Sequence, residues 1–279
     1  MELYHKTSFG ISKIITQNYS TSFSLGIKIF SREYRNGIYS IYAYVRLADE
    51  IVDTFHDHDK ASLLKQFRIE TYSAIKNGIS TNPVIHAFQL TVKEYKIDIK
   101  YIDSFLDSME MDLYSSYYER NVYDKYIYGS AESVGLMCLH VFCKGDMDLF
   151  ERLCEPARML GSAFQKVNFL RDIRSDIEER GRIYLPGSKD SRELDNNSKI
   201  NLEEEVEKEF STALSGILRL PNGVKLGVYT AYLYYYVLFK KIKALDIRTL
   251  LEKRVRVSNI IKFGLLFKSL ILIKILRIG

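Results

Sequence analysis

The sequence predicts an all-α protein, because helical periodicity recurs along nearly the whole chain while the alternation typical of strands is scarce. The clearest helix covers residues 31–53. Its apolar side chains recur at the spacing of one helical face, at Ile41, Val45, Ala48 and Val52. Start signals agree with this prediction, since Asn82 is a cap residue and Pro83 follows it at the first helical position.

The remaining helices are predicted from the same periodicity. They span residues 60–76, 83–95, 99–115, 124–142 and 146–177. Asn201, followed by two glutamates, resembles a capping box and predicts a helix over 201–218. Pro221 and Gly223 interrupt the helical pattern, which resumes over 224–244. The polar, non-periodic stretch 186–199 is predicted to be a surface loop and a candidate lid.

Composition favours one domain over residues 1–279, because no Gly/Ser-rich linker separates two halves and the 47% hydrophobic content suffices for a large core. The net charge of +5 is too small for a nucleic-acid-binding protein. Cys138, Cys143 and Cys154 lack a zinc-site spacing and are predicted to be buried, reduced thiols of a cytosolic protein. No run reaches the ~18 uncharged apolar residues of a membrane span.

Two predicted helices carry a polar stripe on a face that should otherwise be apolar. On the first helix the stripe has members at 0, +4, +7 and +11, namely Tyr42, Arg46, Asp49 and Asp53. On the second helix it has members at 0, +3, +7 and +11, namely Gln165, Asn168, Asp172 and Asp176. Each stripe therefore lies on one helical face and ends in two aspartates four residues apart.

These aspartate pairs indicate a metal site. Carboxylates at i and i+4 lie about 5–6 Å apart and destabilise a helix unless a cation lies between them. Magnesium takes oxygen ligands from carboxylates, water and substrate phosphate. Two such helices facing each other would hold several ions around one diphosphate, and Arg46 and Arg171 would bind its remaining oxygens. A solvated helix face is the alternative for one isolated pair, but the repetition of the pattern disfavours it.

Beyond the stripes, the sequence resembles the squalene/phytoene synthase family, and within it the bacterial phytoene synthases. The matching segments occur in the right order, at residues 19–24 (YSTSFS), 42–53, 131–135 (AESVG), 165–176, 180–186 (RGRIYLP) and 252–258 (EKRVRVS). The chain departs from the family at Tyr19, Glu50 and Glu132, where relatives often have histidine, aspartate and glycine. The resemblance implies an isoprenoid-synthase helical bundle around a central cavity, with the aspartate motifs facing each other.

The resemblance also implies roles for individual residues. The catalytic residues would be Asp49, Asp53, Asp172, Asp176 and Tyr42. The metal ligands would be Asp49, Asp53, Asn168, Asp172 and Asp176. The substrate would be contacted by Ser20, Ser22, Phe23, Arg46, Gln165, Arg171 and Tyr234. The expected cofactor is Mg²⁺, with Mn²⁺ as an alternative, and no NADPH is expected.

The implied reaction is a head-to-head (1-1′) condensation of two geranylgeranyl diphosphates, through a cyclopropyl diphosphate, to phytoene. Two alternatives remain open: a squalene or dehydrosqualene synthase acting on farnesyl diphosphate, and a non-catalytic assembly-factor homologue. Head-to-tail elongases are disfavoured because their DDxxD motif is absent. Cavity depth would set the substrate length, with Ile38 and Tyr39 as candidates for its floor, and Ile27 as a third.

The C-terminal residues 257–279 are apolar but interrupted by four basic residues, Lys262, Lys268, Lys274 and Arg277. This pattern predicts either an interfacial helix on an anionic membrane or a helix that covers the core with its apolar face. We therefore expect a cytoplasmic protein that binds isoprenoid diphosphates and no nucleic acid. If the C-terminal helix is interfacial, we expect the protein to be peripheral on the inner face of the membrane.

Overall fold

The computed structural model describes residues 1–186 and 194–275, except for the side chains of Thr21, Ser22, Asn259, Lys274 and Ile275. Within these residues the chain is helical, apart from turns and one isolated bridge between Tyr117 and Ile183, which confirms the all-α prediction. The α-helices, in chain order, are α1 (Glu2–Tyr19), α2 (Thr21–Ile29), α3 (Arg32–Asp53), α4 (Lys60–Asn77), α5 (Pro83–Tyr95), α6 (Ile99–Tyr114), α7 (Arg120–Ile127), α8 (Ser133–Cys143), α9 (Met147–Glu178), α10 (Asn196–Ile217), α11 (Asn222–Lys243), α12 (Ile247–Glu252) and α13 (Asn259–Leu270).

One predicted helix is two helices in the structure. The periodicity over 124–142 spans α7, a π-helical turn at Tyr128–Glu132, and α8. At this turn the backbone approaches α6 so closely that a Cβ on Gly129 would lie 2.2 Å from the Ser104 carbonyl oxygen. Wider turns of this kind interrupt α-helices locally without changing their apolar pattern. The π-helical turn could therefore not be predicted from the periodicity of the sequence.

The predicted start of α10 at Asn201 is wrong. The helix begins at Asn196, because Asp195 Oδ1 accepts a hydrogen bond from the Ser198 backbone N–H at 2.7 Å and caps it. Residues 196–199 of the predicted loop are therefore helical. Residues 187–193 of the candidate lid lie outside the described residues.

The core is built around α3 and α9, which carry the two polar stripes. On the side of α3 away from its stripe, Tyr44 is fully buried and stacks on the rings of Phe88 at 3.8 Å and Phe67 at 4.9 Å. Its hydroxyl lies 3.2 Å from Thr71 Oγ1, so the buried phenol has a partner. This packing fixes the rotation of α3 and so directs its stripe toward α9.

Helices α9 and α10 pack most closely at Pro156. Proline has no N–H to donate to the carbonyl of Arg152, and that carbonyl accepts from Arg219 Nη2 at 3.4 Å. A Cβ on Gly216 of α10 would lie 2.2 Å from the Pro156 Cβ, so no larger residue fits there without movement. The contact sets the position of α10 along α9.

Helix α1 is joined to α5 by a pair of stacked imidazoles. His86 is fully buried, and its Nδ1 accepts from the Ser80 backbone N–H at 3.2 Å. Its proton is therefore on Nε2, which donates to His5 Nδ1 at 2.8 Å. Both rings must be neutral to keep these bonds. Burial, followed by the neighbouring His5, lowers the pKa of His86.

We expect this pair to destabilise the protein in mild acid. The pKa of His86 in the folded protein is below the unfolded value of about 6.5. The neutral His86 ring therefore contributes fully to the stability of the protein above about pH 6.5, and this contribution is lost as the pH falls through the folded pKa. Thermal midpoints at pH 7 and pH 5 measure this. The decrease should be smaller in His86→Gln than in the wild type, and equal decreases would contradict the expectation.

Candidate active site

The two aspartate stripes face each other across a gap that Arg180 bridges. Its Nε lies 3.4 Å from Asp53 Oδ2 on α3, and its Nη1 donates to Asp176 Oδ1 on α9 at 2.5 Å. Arg182 Nη1 donates to the other oxygen of Asp53 at 2.7 Å. A cavity of about 350 Å³ adjoins these groups and is lined by Asp53, Asp112, Arg180 and Arg182 among others. The facing arrangement expected from the sequence is therefore present.

On α3, Arg46 and Asp49 differ sharply in their contacts. The Arg46 guanidinium pairs with Glu50 and lies 4.6 Å from the centre of the Tyr19 ring, while its Nε is buried without a hydrogen-bond partner. Within the described residues, Asp49 forms no hydrogen bond or ion pair. Burial, followed by the charge of Asp53, raises the pKa of Asp49 to about 8. Asp49 therefore favours a proton or a cation.

On α9 the two aspartates have opposite pKa shifts. Asp172 Oδ1 accepts from Arg171 Nε at 2.9 Å and lies 2.7 Å from Arg254 Nε, which follows α12. Burial would raise its pKa, but the two arginines together outweigh burial and lower it. Asp176 is more strongly affected by burial, which raises its pKa to about 7 despite Arg180. Asp172 is therefore the more firmly ionised of the two stripe aspartates on α9.

The amide end of the α9 stripe contacts α11. Asn168 Nδ2 donates to Gln165 Oε1 at 3.4 Å, and Tyr235 OH donates to Asn168 Oδ1 at 3.2 Å. Tyr235 thus contacts the stripe directly, although the sequence analysis selected its neighbour. The ring of Tyr234 lies 5.2 Å from Lys262 Nζ of α13. Its contact with substrate remains a prediction.

The junction of α1 and α2 lies over the first stripe. The rings of Phe23 and Tyr42 stack with centroids 4.9 Å apart, and the Ser20 side chain lies next to the Tyr42 hydroxyl. Ser20 Oγ also accepts from the Phe23 N–H at 3.2 Å and caps α2. The side chain of Ser22, another predicted contact, lies outside the described residues. Ser20 therefore helps to position the start of α2 through its cap contact with the Phe23 N–H.

A buried acid that was not predicted from the sequence, Asp112, lies behind this site. Asp112 of α6 accepts hydrogen bonds from the hydroxyls of Tyr118 at 2.9 Å, Tyr126 at 2.9 Å and Tyr184 at 3.0 Å. Arg182 Nη1 lies 3.7 Å from the same carboxylate. Burial is the main reason that the pKa of Asp112 rises to about 6.

A signal for Asp112 exists in the sequence. It lies on the same face of α6 as the buried rings of Tyr101 and Phe105, eleven and seven residues earlier. An acid on an apolar helix face needs partners, because an unpaired buried charge is costly. The partners are tyrosines from the segment before α7, from α7 and from beyond α9, which periodicity alone does not bring together.

The oxygen ligands of the site suit a hard divalent cation. The candidate ligands that face each other across the site are Asp49, Asp53, Asn168, Asp172 and Asp176. In the part of the chain that the structure describes, no three acidic, histidine or cysteine side chains converge closely enough to hold an ion as they stand. Arginine side chains contact the carboxylates instead, with Arg180 between the two helices. The residue types fit Mg²⁺, and their spacing requires the arginines to move.

The amino-acid sequence matches a known protein family and several of its named members. Residues 16–199 match the family model for squalene/phytoene synthase. Phytoene synthase 2, chloroplastic, from Solanum lycopersicum is 28% identical over 254 residues, which cover 83% of this chain and 80% of that protein. Phytoene synthase from Arthrospira platensis is 31% identical over 191 residues, covering 64% of this chain and 61% of that protein. The 4,4′-diapophytoene synthase of Staphylococcus haemolyticus (strain JCSC1435) is 26% identical over 201 residues, covering 70% of this chain and 66% of that protein.

Solved structures share the fold at lower identity. A dehydrosqualene synthase in complex with ligand aligns with a TM-score of 0.79 and 21% identity, over 97% of this chain and 98% of that chain. Squalene synthase HpnC from Alicyclobacillus acidocaldarius aligns with a TM-score of 0.75 and 19% identity, over 87% of this chain and 95% of that chain. At these identities the likeness establishes the helical fold.

Proposed function

This chain belongs to the squalene/phytoene synthase family of prenyltransferases, and from that premise we propose that it joins two geranylgeranyl diphosphates head to head (1-1′) to give phytoene. The observation that carries the proposal is the pair of aspartate stripes facing each other across the arginine-bridged gap. Two relatives named phytoene synthase favour the forty-carbon product. The retained aspartates disfavour a non-catalytic homologue, for which an assay of released pyrophosphate is the direct test.

In this proposal four carboxylates and one side-chain amide would hold Mg²⁺ or Mn²⁺, namely Asp49, Asp53, Asn168, Asp172 and Asp176. Such ions stabilise the negative charge of a departing diphosphate. The unpartnered Nε of Arg46 is a buried donor free for a phosphate oxygen. Arg171, which now donates to Asp172, is a second donor that reaches phosphate once it turns from that carboxylate.

Aromatic rings protect the cationic stages. Phe23 and Tyr42 stack beside the α3 stripe, and Phe164 and Tyr235 stack at 4.0 Å beside the α9 stripe. Ring faces attract cations and exclude water that would quench them. The allylic cation from one substrate is captured by the double bond of the other, giving a cyclopropyl diphosphate that ionises again and rearranges. Each of the two steps releases one diphosphate and one proton. The proton passes to diphosphate or to a cavity tyrosine.

Identification of the hydrocarbon tests the proposal. Purified protein with magnesium is incubated separately with geranylgeranyl and farnesyl diphosphates, without NADPH, and a matched sample contains a metal chelator. We expect a forty-carbon product only when metal is present. A thirty-carbon product alone, as the name of the Staphylococcus relative suggests, or activity that requires NADPH, would contradict the assignment.

We propose that the buried residues Ile27, Ile38 and Tyr39 form the floor that limits substrate length. Ile38 and Tyr39 lie in α3 about four helical turns before Asp53, so a chain bound at the aspartates would extend toward them.

A membrane contact through α13 is the second part of the proposal. Ile260, Phe263 and Phe267 lie at 0, +3 and +7 on one face of this helix and are 84%, 63% and 67% exposed. On another face, Lys262 lies over the Tyr234 ring of α11. Exposed rings beside basic residues suit the interface of an anionic bilayer. None of the helices in residues 1–186 and 194–275 is long and apolar enough to cross a membrane.

We expect the double variant Phe263→Ser/Phe267→Ser to lose binding to vesicles that contain phosphatidylglycerol, because the change removes both exposed rings. Co-flotation with the vesicles is the measurement. Ile69→Ser, which changes an exposed apolar residue on α4, is the matched control and should still float. Absence of the wild-type protein from the vesicle fraction would contradict the membrane contact.

A further inference from the structure

Arginines contact three of the four stripe aspartates within the described residues. Arg182 and Arg180 contact Asp53, and Arg180 also contacts Asp176. Asp172 is held by Arg171 and Arg254. Arg180 differs from the other arginines because it joins one aspartate of α3 to one of α9. Its guanidinium thus lies between two carboxylates from facing helices, where a bridging cation would also have to bind.

The chain reversal after α9 fixes the position of Arg180. Gly181 has a φ of +65°, a conformation that favours glycine, and its N–H donates to the Ile177 carbonyl at 3.2 Å. The Arg182 N–H donates to the Asp176 carbonyl at 2.8 Å. These backbone bonds hold Arg180 one helical turn from Asp176 and opposite Asp53.

Arg180 is free to move, whereas Arg182 is not. The Arg180 side chain is 32% exposed and lines the cavity of about 350 Å³. The Arg182 side chain is only 8% exposed, and it donates to Asp53, to the Tyr184 hydroxyl at 3.2 Å and to the Val52 carbonyl at 3.4 Å. Rotation of Arg180 into the cavity exchanges two contacts for water, which solvates a guanidinium well.

We propose that Arg180 is an internal counter-ion that competes with divalent cations for Asp53 and Asp176, and that its guanidinium swings into the adjoining cavity when a cation binds. The inference rests on the proposed function only in taking these aspartates as metal ligands. When a side chain competes for the site, the apparent affinity for the cation equals the intrinsic affinity multiplied by the fraction of molecules in which the site is open. If Arg180 occupies the site in about nine molecules of ten, metal binding is weakened about tenfold.

Mn²⁺ binding without any diphosphate tests this competition. Free Mn²⁺ is measured by electron paramagnetic resonance during titration of the wild type, Arg180→Gln, Arg180→Lys and Arg174→Gln. We expect Arg180→Gln to bind Mn²⁺ about tenfold more tightly than the wild type. Arg180→Lys should lie between them, because a single ammonium replaces the planar fork that contacts both carboxylates. Arg174→Gln is the matched control, since Arg174 is exposed on α9 and contacts Glu178 and the Glu252 carbonyl but none of the stripe aspartates.

A thermal melt accompanies each titration. Without Mn²⁺, Arg180→Gln should melt below the wild type, because Asp53 and Asp176 lose a shared partner. Mn²⁺ should raise its midpoint more than that of the wild type. Unchanged or weaker Mn²⁺ affinity in Arg180→Gln would overturn the proposal, as would the absence of binding in every variant. If Arg180→Gln fails to fold, Arg180→Lys decides by the same criteria.

The same experiment separates this inference from the proposed function. Tighter Mn²⁺ binding by the Arg180 variants would support the counter-ion role even if the protein made no phytoene. Phytoene formation with unchanged Mn²⁺ affinity in these variants would leave the function in place and overturn the inference.

Discussion

Asp49→Asn and Asp172→Asn are each expected to lower turnover by about 10³-fold or more. Each change removes a proposed ligand of the ions that stabilise the departing diphosphate. Metal ions contribute several kcal/mol of such stabilisation, and about 1.4 kcal/mol corresponds to a factor of ten in rate. Turnover at saturating magnesium is the measurement. Near wild-type activity in either variant would contradict the model of facing aspartate motifs.

The two variants should differ in stability. Asp49 forms no hydrogen bond or ion pair in the described residues, and its pKa is raised to about 8, so most of it is already uncharged at neutral pH and replacement by neutral Asn should not destabilise the fold. The lowered pKa of Asp172 means that its carboxylate stabilises the protein above the unfolded pKa, and Asn loses that contribution at neutral pH.

We therefore expect Asp172→Asn to lower the free energy of unfolding by about 1–3 kcal/mol, because Arg171 and Arg254 lose their charged acceptor. Urea denaturation without metal measures this. Like-charge repulsion alone would predict that neither variant is destabilised, and the two arginine contacts of Asp172 reverse that expectation for Asp172→Asn. Asp107→Asn, at an exposed pair with Arg68, is the control for both activity and stability.

Arg182→Gln is expected to reduce the free energy of unfolding by about 3–5 kcal/mol, the usual cost of breaking a buried ion pair. Arg182 is the cation that faces both Asp53 and the buried Asp112. Without it, Asp112 keeps three tyrosine hydroxyls but loses its nearby positive charge. Burial then favours protonation of Asp112 still more strongly, and the Tyr184 hydroxyl loses a donor.

Urea denaturation of Arg182→Gln and Arg174→Gln measures this effect. The second variant breaks an exposed pair on α9 and an exposed hydrogen bond to the Glu252 carbonyl, and should cost about 1 kcal/mol. Similar losses in the two variants would show that burial of Arg182 does not strengthen its contacts.

The features predictable from the sequence were those fixed by local spacing. The stripes on α3 and α9 follow from residues less than twelve positions apart, so periodicity was sufficient to find them. The partners of Asp112 come from the segment before α7, from α7 and from beyond α9, and only tertiary packing brings all three together. Tyr235 rather than Tyr234 contacts Asn168 because of the rotation of α11, and adjacent residues differ by about 100° around a helix. Similarly, the aspartates predicted a cation, but not that arginines would contact three of the four.

The contact between Pro156 and Gly216 has a consequence at the other end of α9. Sixteen residues separate Pro156 from Asp172, or about 24 Å at 1.5 Å per residue, and over that length a tilt of about 5° displaces the carboxylate by about 2 Å. Misplacement of a reacting group by about 1 Å can cost a hundredfold in rate. A larger side chain at Gly216 would therefore tilt the long helix and shift the Asp172 carboxylate, although Gly216 touches neither of the proposed metal and substrate positions.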